Sequence, residues 1–485
     1  MSVFHKILLR PEVEEYLRAV FQNNELVTAI GPEQAEEKYE SLLNNLSHPP
    51  AFTTVRVNTH LASVEHVRSL LCEEIQKQYG SFSVPVLQHP QLPDVLLIPV
   101  IGPRKDLQKL TNEVIVGAQC GSAVLRGAHV YAPGIISASK FMKAGDLVSV
   151  YSDIEGQCKR GAKEFLGTKV FIGNGISELS RSEIFQSNGT LKGMGIKMIE
   201  PIYLSPSFDK LLSSYLFLQN LPSSVVSHVL DPQPGDRILD MCAAPGGKAT
   251  HIAALMHDEG EVVALDKIAD KVKRIKQNAT LLKLNCIKTF CYDATKVLAT
   301  SKREDGQEGP PFSPESFDRI LLDAPCSGMG QRPNMAYISS LKEVTSYQPL
   351  QRKLLRVAVH LLKPGGILVY STCTITLSEN EEQVAWMLET FPCLQLQSQQ
   401  PIFQAQSEGN HLSQIMMQTQ EWELPHAFYI ELISRWDKPT TDAFTTPNQL
   451  KICSLPHPSW HGQLLLRKHL HHTLDHGLGP GCRDR

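Results

Sequence analysis

The sequence predicts an α/β protein in which a doubly wound, mostly parallel Rossmann-like sheet is combined with a β-rich insertion and an N-terminal α+β domain. Two observations predict this class. From about residue 230 onward, short apolar runs alternate with helical patterns, as they do in βαβ units. Between residues 111 and 203, runs rich in Val, Ile and Ala are instead separated by glycine turns without a long helical period.

These changes in pattern divide the chain into four expected segments. They are an α+β domain (1–110), the β-rich insertion (111–203), the α/β core (204–395) and a C-terminal tail (396–485). Most of the tail has no helical or strand period, so we expect it to be poorly ordered. Residues 426–433 are its one apolar stretch that could form a further strand of the core.

The charge balance excludes one class of nucleic-acid-binding protein. Lys and Arg number 47 and Asp and Glu 50, and the net charge of −3 rules out histone-like binding through bulk positive charge. Between residues 104 and 200, however, 13 basic residues stand against 9 acidic ones. This local excess indicates either an anion-binding surface or an ordinary solvated surface.

The sequence also bears on cellular location. It contains no apolar run of about 18 residues, the length of a membrane helix, and its charged N-terminus lacks the apolar stretch of a secretory signal. The 11 Cys are odd in number and irregularly spaced, so we expect reduced thiols and a cytoplasmic protein. The His-rich end shows no set of ligands at metal-binding spacing, and we expect no bound metal.

A glycine turn follows the predicted strand 237–241. It consists of Cys242, Ala243, Ala244, Pro245, Gly246, Gly247 and Lys248. Glycines allow close approach of a ligand and a helix N-terminus offers free N–H groups, so the turn predicts an anion or cofactor site. A P-loop does not fit, because Cys242 stands where that motif needs its first glycine and Ala249 where it needs Ser or Thr. The dinucleotide fingerprint G-x-G-x-x-G is absent as well.

Acidic residues end the next two predicted strands. Asp266 ends one of them, where a carboxylate can accept both ribose hydroxyls, and Lys271 lies about one helical turn later. Asp293 ends the other, where a side chain can reach an adenine edge. Each acid alone is more often a helix cap than a ligand. Together, and beside a glycine turn, they favour a nucleoside site.

Two cysteines follow neighbouring predicted strands. Cys326 comes just after the strand 318–323, and Cys373 just after the strand 366–371. Because the carboxyl ends of strands in an open α/β sheet face the ligand crevice, we expect the two thiols to meet there. A single cysteine at a strand end is usually a packing residue. Two of them, with Lys248 available to favour a thiolate, indicate chemistry.

Three motifs in a fixed order connect these features to a family. DMCAAPGGKAT (240–250), LLDAPCSG (321–328) and YSTCT (370–374) make the chain resemble the Sun-domain RNA cytosine-5 methyltransferases over about residues 200–400. The insertion, from VGAQCGSAVLRGAHVYAPGI to VFIGNG, is similar to a PUA domain, an RNA-binding pseudo-barrel. The resemblance therefore implies the PUA-containing branch of the family, with tRNA and mRNA as substrates, and we expect a monomer.

The resemblance also implies roles for the residues of the motifs. S-adenosylmethionine would be held by 242–248, Asp266, Lys271, Asp293 and Asp323. Cys373 would attack carbon 6 of the cytosine, and Cys326 would assist release of the product. Asp323 would contact the base and favour protonation of its ring nitrogen, while Lys248 would polarise it. Covalent activation by a thiolate is the expected solution because carbon 5 of cytosine is not nucleophilic unaided, and the base must leave its stack.

RNA contacts are expected in the basic segment. Arg126 offers a cation, Tyr131 an aromatic ring for stacking, and Lys159 with Arg160 a paired cation in a turn. Arg332, just after the second motif, could contact a phosphate near the reacting base. Each of these residues could equally be an ordinary surface residue.

Two alternatives remain open at this stage. Cys326 could be the nucleophile, because a Pro-Cys motif carries that role in DNA cytosine methyltransferases. After residue 397 the chain also departs from the family, whose terminal strand is not recognisable there. Because loss of an edge strand weakens a sheet, the second alternative is a non-catalytic RNA-binding protein.

Overall fold

The computed structural model describes residues 4–80, 83–186, 191–209, 211–299, 309–397 and 429–435. The chain forms two compact units, which we call the first and second units. The first unit comprises residues 1–16, 37–221 and 331–340, and the second comprises 17–36, 222–330 and 341–485. Each unit is thus assembled from separate stretches of chain, which the four-segment prediction did not anticipate.

Short helices and strands alternate in the first part of the chain. In chain order they are β1 (Leu8–Leu9), α1 (Pro11–Phe21), α2 (Asn24–Ile30), α3 (Pro32–Ser47), β2 (Phe52–Val57), α4 (Val64–Tyr79), β3 (Leu87–Gln88), β4 (Val95–Pro99), β5 (Glu113–Gly117), α5 (Ala118–Leu125), β6 (Val130–Tyr131), β7 (Ile135–Ala138), β8 (Leu147–Asp153), β9 (Lys169–Ser177), α6 (Arg181–Gln186), β10 (Met194–Pro201) and β11 (Leu216–Leu218). A single 3-10 turn covers Ala132–Gly134.

A four-stranded antiparallel sheet in the order β11-β2-β4-β3 lies in the first unit. Helix α4 packs with it through Val67, Leu71 and Ile75, which recur every fourth residue and are buried. Strand β11 lies after residue 204, the predicted start of the core, which stays a prediction. Residues 216–218 pair with β2 across the whole insertion, a long-range pairing that no local pattern announces.

The insertion forms a six-stranded sheet in the order β6-β10-β9-β8-β5-β7, in which only β5 and β8 run parallel. Its core includes Val114, Val148, Val150 and Ile172. Helix α5 is a correction, because the sequence indicated only strands and turns there. Its eight residues, AQCGSAVL, are small or apolar and lack the charged face by which a helix is recognised.

Longer strands and helices follow from residue 221 onward. They are α7 (Leu221–Leu230), β12 (Arg237–Asp240), α8 (Gly247–Leu255), β13 (Glu261–Asp266), α9 (Ala269–Leu281), β14 (Ile287–Cys291), β15 (Phe317–Asp323), β16 (Ala336–Tyr337), α10 (Leu341–Val344), α11 (Gln348–Leu361), β17 (Leu362–Thr372), α12 (Glu381–Thr390), β18 (Leu394–Leu396) and β19 (Tyr429–Arg435). Two 3-10 turns cover Ala294–Lys296 and Leu377–Glu379. β16 pairs with β1 in the first unit. In the ranges given above, no helix is long and apolar enough to cross a membrane.

The second unit is built on a seven-stranded sheet in the order β14-β13-β12-β15-β17-β19-β18. All its pairings are parallel except those of β19. Inward residues such as Leu239, Val263 and Ile320 pack with Leu355 and Val359 of α11. The predicted doubly wound α/β sheet is confirmed. The winding direction reverses between β12 and β15, where such sheets bind ligands.

Strand β19 comes from the predicted tail. It lies between β17 and β18 and pairs antiparallel with both, so it is an interior strand of the sheet. The expectation of a poorly ordered tail is therefore wrong for residues 429–435. The ranges 398–428 and 436–485, which include the His-rich end, lie outside the described residues. The binding-only alternative rested on a missing terminal strand, and β19 supplies one.

The interior position of β19 predicts the effect of a proline. Ile433 pairs with Leu368 of β17 on one side and with Leu396 of β18 on the other. Ile433→Pro removes an N–H from the sheet, and we expect it to lower the free energy of unfolding by about 2 kcal/mol more than Ile433→Ala. Ile433→Ala is the control because it shortens the same side chain and keeps the N–H. Equal melting temperatures for the two variants would contradict this position.

Candidate active site at the edge of the seven-stranded sheet

The predicted site residues lie in a row along one edge of the seven-stranded sheet. Asp293 follows β14, Asp266 ends β13, the glycine turn 242–248 follows β12, Asp323 ends β15 and Cys373 follows β17. Neighbouring strands are about 5 Å apart, so the row is about 20 Å long. The sequence predicts that these residues lie at the carboxyl ends of strands, and the parallel direction of the strands brings them to the same edge.

Hydrogen bonds hold the glycine turn in place. The Ala243 N–H donates to the Leu265 carbonyl at 2.8 Å, and the Gly246 N–H donates to the Ala243 carbonyl at 2.7 Å. Gly246 has a φ of 105°, a left-handed conformation that glycine adopts readily. A β-carbon at this position would lie 3.1 Å from the Cα of Ile275. Glycine is therefore needed for the turn to pass between α9 and the start of α8.

Asp266 and Asp293 differ in how many oxygens they have available. Asp266 Oδ1 accepts the N–H two residues later at 2.8 Å, and within the described ranges its other oxygen has no partner. Asp293 Oδ1 accepts the hydroxyl of Thr295 at 2.7 Å and its N–H at 3.0 Å, while Oδ2 lies 3.1 Å from Lys267 Nζ. These contacts, above all the Thr295 hydroxyl, lower the pKa of Asp293. Both oxygens of Asp293 thus have partners, as in a helix cap, and Asp266 keeps an oxygen for a ligand.

Asp240 is a site residue that the sequence analysis missed. It ends β12 just before the glycine turn, is 1% exposed, and accepts the Cys242 N–H on Oδ1 at 3.3 Å. Its Oδ2 is buried without a hydrogen-bond partner among the residues that the structure describes. Burial, and then the charge of Asp323, raise the pKa of Asp240 to about 7. Its place as the last strand residue before a glycine turn was the available signal.

Cys242 and Lys271 complete the predicted cofactor residues. Burial, followed by the charge of Asp240, raises the pKa of Cys242 well above its ordinary value, so this thiol is neutral. Lys271 is exposed on the first turn of α9, and its positive charge opposes that shift. Cys242 is therefore a packing residue of the turn rather than a nucleophile.

An ion pair joins the glycine turn to β15. Lys248 Nζ lies 2.7 Å from Asp323 Oδ2, and the Ser371 hydroxyl donates to Asp323 Oδ1 at 2.8 Å. Burial works against the charge of Lys248, but Asp323 and Asp240 more than offset it and raise the pKa of Lys248. The Asp323 carboxylate is thus oriented through both oxygens. Ser371 was not predicted, although it stands two residues before Cys373.

Cys326 and Cys373 meet at the ends of β15 and β17. Their sulfurs are 3.2 Å apart, and the Cys373 N–H donates to the Cys326 sulfur at 3.3 Å. Both are free thiols. The hydrogen bond with Cys373, together with burial, raises the pKa of Cys326 far above its ordinary value. Cys326 is therefore held as a neutral thiol beside the sulfur of Cys373.

The predicted RNA-binding residues lie on the first unit. Tyr131 is 47% exposed, and its hydroxyl donates to Asp209 at 3.2 Å. The guanidinium of Arg160 donates to two carbonyls of the turn that follows Tyr131, at 3.0 and 3.5 Å. Arg126 and Lys159 are exposed. Tyr131 and Arg160 therefore flank one turn, and part of the Arg160 side chain has a structural role.

Arg332 contacts backbone carbonyls of the first unit. Its Nε donates to the carbonyls of Asn45 at 2.7 Å and His48 at 3.2 Å, and its Nη2 donates to the carbonyl of Pro49 at 3.4 Å. The guanidinium thus holds the backbone that follows α3. The phosphate contact predicted for this residue stays a prediction, and the bonds from Nε and Nη2 give the side chain a structural role in the first unit.

The raised pKa of Asp240 predicts a pH-dependent stability. An acid whose pKa rises from 3.8 to about 7 on folding favours the unfolded state above pH 3.8, and this penalty grows until about pH 7. As the pH rises from about 5 to about 8, we expect the free energy of unfolding of Asp240→Asn to increase by about 2 kcal/mol relative to that of the unaltered chain. Thermal unfolding across this range measures it, with the exposed Asp106→Asn as control. Parallel pH profiles for all three proteins would contradict it.

Comparison with known proteins identifies the family. Residues 227–432 match the family described as 16S rRNA methyltransferase RsmB/F. The chain is 72% identical over 401 residues to the tRNA (cytosine(72)-C(5))-methyltransferase NSUN6 of Homo sapiens, a match that covers 83% of this chain and 86% of the human protein. It is 31% identical over 392 residues to the tRNA (cytosine(72)-C(5))-methyltransferase of Pyrococcus horikoshii, covering 80% of this chain and 88% of that one.

A solved structure shows the same fold. The crystal structure of NSun6 from Pyrococcus horikoshii with SFG has a TM-score of 0.67 and 27% identity, and the match covers 88% of this chain and 99% of that one. SFG is an analogue of S-adenosylmethionine. Fold, motifs and relatives agree, and the chain belongs to the RsmB/F, or Sun-domain, family of S-adenosylmethionine-dependent RNA cytosine-5 methyltransferases.

Proposed function

We propose that this chain methylates carbon 5 of cytosine 72 in tRNA, the reaction for which its human and archaeal relatives are named. We include cytosines in mRNA as a second substrate class. The observation that carries the proposal is the pair of thiols, Cys326 and Cys373, beside the Lys248–Asp323 ion pair at the ligand-binding edge of the sheet. This arrangement suits covalent activation of a base.

The edge of the sheet fits S-adenosylmethionine. When bound, this cofactor supplies a methyl group carried on a positively charged sulfur. The residues that would hold it are 242–248, Asp266, Lys271, Asp293 and Asp323. The buried Oδ2 of Asp240 lacks a partner in the described part of the chain, and a cationic cofactor beside it would supply the missing positive charge.

Cys373 and the ion pair prepare the base for methylation. The negative sulfur of Cys373 attacks carbon 6 of the cytosine, and the displaced electron pair makes carbon 5 nucleophilic. Asp323, oriented by Lys248 and Ser371, accepts a hydrogen bond from the protonated ring nitrogen and so favours its protonation. The charge of Lys248 lies beside this group and polarises the ring.

Cys326 then contributes to release of the product. Once Cys373 is bonded to carbon 6 it carries no negative charge, and the interaction that chiefly raises the pKa of Cys326 disappears. Cys326 can then lose its proton to solvent water, and its thiolate accepts the proton that leaves carbon 5, while the electron pair of that C–H bond forms the 5,6 double bond and the carbon–sulfur bond breaks to free the Cys373 thiolate. The same contact thus keeps Cys326 protonated before attack and lets it act as a base afterwards.

We propose residues 111–203 as a PUA domain that binds RNA. The six-stranded sheet with its exposed Tyr131 and Lys159 supports this, since aromatic rings stack on bases and lysines contact phosphates. Arg126 and Arg160 would add to the same contact. We also propose a monomer, and the cytoplasm as its location, because a catalytic thiol 3.2 Å from a second thiol requires a reducing compartment.

The roles of the two cysteines make the central prediction. With tRNA that contains 5-azacytosine, Cys326→Ala should form a covalent adduct that survives denaturation, and Cys373→Ala should form none. We expect Cys373→Ala to lower methyl transfer by about a thousandfold or more, because the nucleophile is lost. The exposed Cys72→Ala is the matched control. An adduct in Cys373→Ala but not in Cys326→Ala would reverse the assignment.

The proposed RNA surface makes a second prediction. We expect Lys159→Ala to raise KM for tRNA by about threefold to tenfold and to leave kcat unchanged. The slope of log affinity against log salt concentration should become smaller by about one, because one fewer ion is released on binding. The control is Lys353→Ala, which removes an exposed lysine on α11. Methylation kinetics at two or more salt concentrations measure all three effects. A KM equal to that of the control would remove Lys159 from the RNA surface.

A further inference from the structure

Glu379 is a fully buried carboxylate beside the two catalytic loops. The Cys326 loop is residues 324–328, which follow β15, and the Cys373 loop is residues 373–376, which follow β17. Glu379 ends the 3-10 turn after the Cys373 loop and is 0% exposed. The mechanism proposed above gives it no role, so its burial needs another explanation.

Four hydrogen bonds reach this carboxylate from three parts of the second unit. Oε1 accepts the hydroxyls of Ser327 at 2.6 Å and Thr376 at 2.9 Å. Oε2 accepts the N–H of Ser327 at 2.9 Å and the side-chain amide of Gln351 at 3.0 Å. The donors belong to the Cys326 loop, the Cys373 loop and helix α11. Glu379 therefore links both loops to the body of the second unit.

The chemistry of the donors explains why a carboxylate is needed. All four donors are uncharged, and a buried carboxylate is tolerated when several hydrogen bonds solvate its charge. Two oxygens with about four lone-pair sites can accept all four donors at once. An apolar residue here would leave each of them buried and unsatisfied, which is costly. The buried charge of Glu379 thus keeps both loops in a fixed geometry.

The network reaches the residues on both sides of Cys326. Ser327 follows Cys326, and the amide of Gln351 also donates to the carbonyl of Pro325, which precedes it, at 3.0 Å. The Ser327 hydroxyl in addition lies 2.6 Å from the hydroxyl of Thr374, the residue after Cys373. The Cys326 loop and the Cys373 loop are therefore joined by a network of bonds that includes Glu379.

The two cysteines depend unequally on this network. Cys373 directly follows β17, which is paired on one side with β15 and on the other with β19. Cys326 lies three residues beyond the end of β15, where no strand pairing holds it. Loss of the network should displace Cys326 more than Cys373, and so impair release of the product more than attack.

We propose that Glu379 is a positioning residue that holds Cys326 against the Cys373 sulfur and thereby sets the rate of product release. It acts through Ser327 and Gln351 and does not touch the substrate. The inference rests on the roles proposed for the two cysteines. Its distinguishing signature is the ratio of covalent adduct to completed methylation, which a general loss of stability would not raise.

The test compares Glu379→Ala with Glu379→Gln on ordinary tRNA. The Gln carbonyl can accept the two N–H donors, and its NH2 can donate to the Ser327 and Thr376 hydroxyls, which rotate to accept. Glu379→Gln should therefore behave like the unaltered enzyme. Glu379→Ala should lower multiple-turnover methylation by about a hundredfold, as misplacement of a catalytic group does. Its adduct, measured on denaturing gels, should rise above that of the unaltered enzyme.

Two further variants keep the outcome interpretable. Ser327→Ala removes one hydroxyl and should show the same rise in adduct on a smaller scale, even if Glu379→Ala fails to fold. Adduct and turnover that fall in parallel, or remain unchanged, in both variants would overturn the role of Glu379. Cys373→Ala in the same assay tests the proposed function separately. An adduct there would overturn the nucleophile assignment, and its absence leaves the result for Glu379 decisive on its own.

Discussion

The ion pair between Lys248 and Asp323 is the contact on which the active site depends. It joins the glycine turn after β12 to the end of β15, across the point where the winding of the sheet reverses. Its ammonium also faces the carboxylate of Asp240 and the sulfur of Cys373. Because breaking one side of a buried ion pair leaves an uncompensated charge, the turn and the strand end constrain each other. Lys248 thereby connects the part of this edge proposed to bind the cofactor with the part proposed to bind the cytosine.

Around this ion pair, negative charge is placed where the reaction needs it. The hydrogen bond with Cys373 raises the pKa of Cys326, so Cys326 is held as a neutral thiol before any substrate arrives. The β-sheet supplies the position of Cys373, and a buried hydrogen-bond network supplies that of Cys326. The sulfur of Cys373, which follows a strand, and the sulfur of Cys326, which lies in a loop, are therefore 3.2 Å apart. Such preorganisation is what a reaction with two covalent steps requires.

Local patterns predicted much of this structure, and long-range contacts account for what they missed. The apolar runs from 237 to 371 indicated the parallel strands because strands buried on both faces are continuously apolar. The site acids and cysteines followed from their places at the ends of those strands. Strand β11 could not be predicted, since its partner β2 lies far away in sequence. Asp240 and Glu379 look like ordinary acids until tertiary packing buries them. The backbone partners of Arg332 could not be predicted for the same reason, because these carbonyls become its neighbours only in the folded first unit.

The position of β19 has a consequence for biosynthesis. Thr372, the residue before Cys373, pairs with Tyr429, so one side of β17 stays open until the ribosome has released residues 429–435. At about 5–20 residues per second, this leaves an unpaired sheet edge in the nascent chain for several seconds. Such edges recruit other strands, so the growing chain is open to mispairing or chaperone capture at β17, the strand that leads to Cys373. The seven-stranded sheet is completed late in translation, after the glycine turn and the six-stranded sheet of the insertion have already left the ribosome.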